Sequence, residues 1–190
     1  MPMGRLSDAH VPATASSVNA KRKRWQPHSV SSLLHLPHEE HALVSGGASD
    51  GTVKLWDCRM LAHDAQAARR GKKPAPTQQL QPSTKDRSRP HGIASLAIDR
   101  VWGRLAVSTT DDAVYLYDSR WTVGSRSPRT TEVAQLRGHL CDSFYVKSAF
   151  SPDGRFLVHG SSDASAHIWE IDRPLQPPLV LMGYAASHGQ

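Results

Sequence analysis

Cysteine is scarce in this chain of 190 residues: Cys58 and Cys141 are the only two, far apart and in no ligand spacing. A reducing intracellular compartment is the simplest reading of that poverty. Long apolar runs are missing as well. None approaches the roughly 20 residues a helix needs to cross a bilayer, so no membrane partner is expected. The N-terminal MPMGRLSDAHVPATASS lacks the apolar core of a signal peptide. At 38% hydrophobic residues the chain is poorer in apolar side chains than the usual globular domain. It is long enough for one ordinary domain, with packed segments separated by polar connectors.

The net charge of +6 raises the question of nucleic acid, and its location answers it. Residues 1–28 hold five Lys or Arg against Asp8, and residues 59–91 hold eight against Asp64 and Asp86. Those two connectors carry +10, so everything else carries −4. A nucleic-acid-binding fold shows its basic stripe on the folded body. No direct sequence-specific nucleic-acid binding is therefore expected, although weak contact by the basic segments stays open.

Three segments superimpose on their aspartates: ALVSGGASDGTVKLWD (42–57), RLAVSTTDDAVYLYD (104–118) and RFLVHGSSDASAHIWE (155–170). Asp50, Asp111 and Asp163 each precede an aromatic residue, Trp56, Tyr117 or Trp169, by six positions. Each segment reads as a hairpin, and Asp50-Gly51 is among the strongest turn signals. Strand-like runs precede them at SVSSLLHL (29–36), GIASLAI (92–98) and FYVKSAF (144–150), while TEVAQLRGH (131–139) and PLVLMGY (178–184) offer a fourth strand. Four antiparallel strands per unit make one blade of a β-propeller.

Gly138-His139 through Trp169-Glu170 is a complete WD-repeat signature. It predicts a buried network in which the Trp169 indole donates to Ser161, and Ser161 and His139 link to Asp163. The fold class expected is thus all-β, a WD-repeat propeller with blades at about 28–60, 92–118 and 138–172. Three blades cannot close a ring, which typically holds four to eight and here is expected to hold about seven. The chain is read as either a fragment of a longer protein or a truncated gene product, with two open flanks and a frayed end at 185–190.

The aromatic spacings of 61 and 52 exceed the usual repeat of about 40, so insertions lie between blades. The polar, basic segment 61–91 is expected to be a disordered loop, as are 119–132 and 1–27. Within the last, Lys21-Arg22-Lys23-Arg24 reads either as a nuclear-import signal or as a solvated charge run.

Enzymatic readings fare poorly against this pattern. Gly47-Ala48-Ser49-Asp50-Gly51 matches the GxSxG string, but a nucleophile elbow needs a helix after the serine, and TVKLW reads as a strand. Asp111-Asp112 is a turn element by its alignment rather than an acid/base pair. His28, His35, His38 and His41 with Glu39 and Glu40 do not hold a regular metal spacing, and Pro37 puts them in a turn. No catalytic residue, metal or other cofactor is expected.

Closer wording lies in three stretches. FYVKS, SPDGRFLV, SSD with AHIW, and QPP, all within 138–183, resemble the denticleless family, as do SLAIDRVWGRLAVSTTDDAVYLYD and LVSGGASDGTVKLWDCR in the same order. The resemblance covers about residues 28–184. It implies a non-catalytic substrate receptor of the cullin-4 RING ubiquitin ligase, recognising replication-licensing and cell-cycle proteins presented on the DNA sliding clamp. Val53-Lys54-Leu55-Trp56-Asp57-Cys58-Arg59 resembles the WDxR box by which such receptors dock on the ligase adaptor. By that likeness Trp56, Asp57 and Arg59 belong to the adaptor-facing rim, joined by Asp118 and Arg120 of the string Tyr117-Asp118-Ser119-Arg120. The plainer reading of the box is a strand end with a snorkelling arginine, and the rival function is a WD-repeat scaffold of another complex.

Overall fold

The computed structural model describes residues 29–60, 75–84, 91–119 and 130–183. Among the described residues twelve strands form three four-stranded antiparallel sheets, each ordered as in the chain. The first holds β1 (Val30–His35), β2 (Ala42–Gly47), β3 (Val53–Asp57) and β4 (Gln78–Leu80). The second holds β5 (Ile93–Ile98), β6 (Arg104–Thr109), β7 (Ala113–Ser119) and β8 (Thr130–Arg137). The third holds β9 (Ser148–Phe150), β10 (Phe156–Gly160), β11 (Ser165–Glu170) and β12 (Leu179–Met182). These are the propeller blades anticipated from the hairpin pattern.

Strand alternation explains how the blades stack. In the second sheet, Leu105, Val107, Ala113, Tyr115 and Tyr117 face the first sheet, where they meet Val44, Val53 and Leu55. The residues between them, Ala106, Val114 and Leu116, face the third sheet with Leu136 and meet Leu157, Trp169 and Ile171. A period of two thus supplies two apolar faces instead of one apolar and one polar. The third sheet, by contrast, leaves Phe156, Val158, Leu179 and Leu181 exposed.

Serine hydroxyls join neighbouring blades along their first strands. Leu96 N donates to Ser32 Oγ at 3.1 Å, and Ser148 N donates to Ser95 Oγ at 3.1 Å. Ser31 donates to the Ile93 carbonyl, and Lys147 Nζ donates to the Ala94 carbonyl at 2.7 Å. Because Ser31 meets Ile93 and Ser32 meets Leu96, β1 and β5 run in the same direction. Corresponding turns of the blades consequently gather at the same end.

Four expectations about boundaries need correction. The segment 61–91 is not wholly a loop: Gln78–Leu80 pairs with Val53–Leu55 and completes the first blade. Gln78 is buried there, so three residues suffice for an edge strand although the surrounding composition is polar. Likewise 119–132 ends in strand at both sides, with Ser119 in β7 and Thr130 opening β8. The fourth strands offered by 131–139 and 178–184 are β8 and β12, which close the second and third blades, so the blades span 30–80, 93–137 and 148–182 rather than the narrower ranges expected. Within 144–150 only Ser148–Phe150 is strand, and Phe144 and Tyr145 stand exposed in the approach. Residues 1–28, with Lys21–Arg24, and 184–190 lie outside the described residues.

The sandwiched second blade predicts where truncation hurts most. Leu105, fully buried between blades, should destabilise the fold by about 2–5 kcal/mol when changed to Ala, through lost burial and the cavity left behind. Urea denaturation of wild type and Leu105→Ala, followed by tryptophan fluorescence, measures it.

Candidate docking rim

One end of the strands collects the turns 36–41, 99–103 and 151–155 with the C-terminal ends of β3, β7 and β11. Registers fix this arrangement: Asp57 pairs with Ala42, Asp118 with Arg104, and Glu170 with Phe156. The opposite end collects the three aspartate turns.

At the first rim, β3 finishes on Trp56-Asp57. Trp56 is buried, and its indole N–H donates to Ser45 Oγ at 2.8 Å. Cys58 N donates to the His41 carbonyl at 2.8 Å, and the chain is helical over 58–60, where the described stretch ends. Arg59 is thereby brought back over Asp57. Its Nε donates to Asp57 Oδ1 at 3.0 Å and its Nη2 to Oδ2 at 2.8 Å, a two-pronged pair, while its backbone N donates to Oδ1 at 2.9 Å. The Asp57 side chain is 7% exposed and the Arg59 side chain 60%. The Arg59 hydrogen bonds hold the Asp57 carboxyl below its usual range. Asp57 in turn keeps the guanidinium more firmly protonated, with the charge of Glu39 adding to it. Glu39, weighed in the sequence only as a metal-ligand candidate, contributes here through its charge.

The other blades differ at this rim. Asp118 is exposed at the end of β7, and Arg120 lies outside the described residues. Tyr117 replaces the tryptophan, and its hydroxyl donates to Glu132 at 3.3 Å. In the third blade the position matching Arg59 is Asp172, which accepts from Arg104 Nη1 at 3.2 Å. Among the described residues, Arg59 is thus the one cation at this position of a blade.

At the opposite rim the turn aspartates act locally. Asp50 accepts from Thr52 N at 3.1 Å, Asp163 from Ser165 N at 3.1 Å, and Asp111 from Tyr115 Oη at 2.6 Å. The residue after Asp50, Asp111 and Asp163 takes a positive φ in every blade: Gly51 at 61°, Asp112 at 58° and Ala164 at 63°. Ser49 sits in the first of these turns and is followed by a strand, not the helix that a nucleophile elbow requires. Among the described residues no three His, Cys, Asp or Glu side chains come together as a metal site; His28 lies outside them.

Comparison with known proteins agrees with this architecture. Residues 20–57 and 130–170 match the family described as WD domain, G-beta repeat. The denticleless protein homolog of Gallus gallus is 38% identical over 151 residues, covering 79% of this chain and 19% of that protein. Its Homo sapiens counterpart is 39% identical over 147 residues, covering 77% and 18% respectively. Protein lethal(2)denticleless of Drosophila melanogaster is 34% identical over 158 residues, covering 83% and 19%. The chain belongs to the denticleless family of WD-repeat proteins. It spans about a fifth of the length of those relatives.

In this denticleless-family segment the polar network expected in the third blade is built otherwise. Trp169 pairs with Leu157, as Trp56 pairs with Leu43, so the residue matching Ser45 is His159 and not Ser161. Aligning on the aspartates hides this, because Ser45 lies five residues before Asp50 and His159 four before Asp163. Ser161 lies beyond β10; its hydroxyl accepts from Leu140 N at 2.9 Å and donates to the Leu140 carbonyl at 3.4 Å. Asp163 accepts from Ser165, and the Ser165 hydroxyl first, then that of Ser161, holds its carboxyl below the usual range. His139 does not join it. Both of its ring nitrogens are buried without a partner, as is His159 Nε2. His139 packs against His159, with ring centroids 4.3 Å apart, and edge-on against Trp169 at 5.5 Å. His167 stacks on Trp169 at 5.7 Å.

Burial first, then the neighbouring His159, His167 and Arg137, push the His139 pKa down to about 3, with Asp111 pulling weakly the other way. His159 is lowered as well, again chiefly by burial. Folded His139 thus refuses a proton that the unfolded chain accepts near its ordinary 6.5. Below that pH the unfolded state binds more protons, so the contribution of this histidine to stability declines as pH falls from about 6.5 towards 3. The His159→Ser variant, which places there the hydroxyl found in the first blade, should make that decline shallower by removing one lowered imidazole, with the burial of His139 keeping the remainder. Denaturation midpoints at a series of pH values for both proteins test this.

Proposed function

We propose that this chain is part of a non-catalytic substrate-recognition receptor of a cullin-4 RING ubiquitin ligase, docking on the ligase adaptor through its WDxR box. Ubiquitin transfer would be carried out by the bound RING and conjugating enzyme. The proteins delivered would be replication-licensing and cell-cycle factors presented on the DNA sliding clamp, in the nucleus, with Lys21–Arg24 serving import. The observation that supports the reading is the clamped, outward guanidinium of Arg59. Asp57 sets its orientation before any partner arrives, so less rotamer freedom is lost on binding. An exposed ion pair of this kind adds little stability; a planar donor fork held still suits recognition of a protein surface.

A generic WD-repeat scaffold would tolerate loss of that arginine. Binding of the purified cullin-4 adaptor by the full chain separates the two. Arg59→Ala should weaken it about thirtyfold or more, as interface hot spots do. Asp57→Asn should give a smaller loss, because the fork remains but its anchor is weakened. Arg59→Ala/Arg120→Ala should be weaker still. Undiminished binding by Arg59→Ala, with the fold intact by circular dichroism, would remove the box from the interface.

A further inference from the structure

The turn between β5 and β6 breaks the pattern of its counterparts. Turn tips favour Gly, Pro and small polar residues, and the matching turns carry Pro37-His38-Glu39-Glu40 and Ser151-Pro152-Asp153-Gly154. The second blade instead places Val101 and Trp102 there, 51% and 66% exposed. A lone exposed apolar residue is ordinary; two large ones on a rigid tip are not.

Rigidity comes from beneath. Asp99 is almost wholly buried, and its carboxylate accepts from Val101 N at 2.8 Å while its carbonyl accepts from Gly103 N at 3.0 Å. Gly103 takes a φ of 72°. Arg104 lies under the tip, 6.0 Å from the centre of the Trp102 ring. Its guanidinium is held by Asp99 and Asp172, each at 3.2 Å, and by the Gly154 carbonyl at 3.4 Å. The indole is therefore carried on a braced support at the end of the strands where Arg59 also stands.

We infer that Val101 and Trp102 form a second docking element for the adaptor that engages Arg59, with Trp102 entering an apolar pocket of that protein; this rests on the receptor reading above. The surface is convex, so it fits a protein pocket and does not itself enclose a small molecule. Glu39, Glu40, Asp118 and Asp172 share the rim and repel phosphate, which disfavours nucleic acid. A partner face with an apolar pocket beside carboxylates suits the indole together with Arg59 and the exposed Arg100.

The test is adaptor binding by the full chain carrying Trp102→Ala, Trp102→Phe or Arg59→Ala, with melting temperatures and sedimentation recorded for each. Trp102→Ala should weaken binding roughly ten- to thirtyfold without changing the melting temperature, and Trp102→Phe should recover part of the loss. Wild-type affinity in Trp102→Ala alongside a loss in Arg59→Ala would overturn the second contact and leave the receptor reading standing. A change in self-association with adaptor affinity intact would also overturn it, making the tip a contact between copies of the chain. Failure of the wild type to bind the adaptor would remove both readings.

Discussion

Face-to-face burial of the second sheet is the constraint on which the remaining structure depends. In β6 and β7, odd-numbered apolar residues meet the first blade and even-numbered ones meet the third. Neither face of these two strands is left to water, so they cannot slip register by one residue without exchanging two fitted surfaces. The serine hydroxyls of the first strands then tie the blades in the same direction. Once direction is settled, so are the two rims, and with them which side chains stand together at each end of the strands.

On the Arg59 rim, charge serves geometry more than stability. The Asp57–Arg59 pair is too exposed on its cationic side to hold the fold together. Its contribution is positional: a short helical turn after Trp56 bends the arginine over a carboxylate that the first blade keeps buried. Arg104 does the same for the neighbouring turn from a more enclosed position, drawing together Asp99 of its own blade and Asp172 and Gly154 of the next. A carbon added at Gly154 would lie 2.5 Å from the Asp99 carboxylate, which shows how closely the two blades meet there.

Each blade treats its buried polar groups differently. The first pairs an indole with a hydroxyl, Trp56 with Ser45. The second gathers Thr109, Tyr115 and Arg137 around Asp111. The third replaces the hydroxyl by His159 and assembles three imidazoles beside Trp169, leaving three ring nitrogens without partners. Orphaned buried groups carry a desolvation penalty, and in this blade the rings meet one another by packing in place of hydrogen bonds.

The sequence by itself determined the strand pattern, the three aspartate turns and the likeness to denticleless proteins, because alternation and turn chemistry are local properties of consecutive residues. It also marked Trp56, Asp57 and Arg59 as a unit, since their relation spans only four positions. Tertiary structure decided what depends on pairing across distance. Gln78–Leu80 became a strand because β3 offered a free edge, not because its own composition asks for one. His159 took the place assigned to Ser161 because one residue fewer before the turn changes which side chain faces Trp169. Trp102 became a braced, outward indole only through Asp99 and Arg104 beneath it and Asp172, 70 residues further along the chain. Registers and contacts between distant segments arise from how whole sheets fit together, and no local pattern encodes that fit.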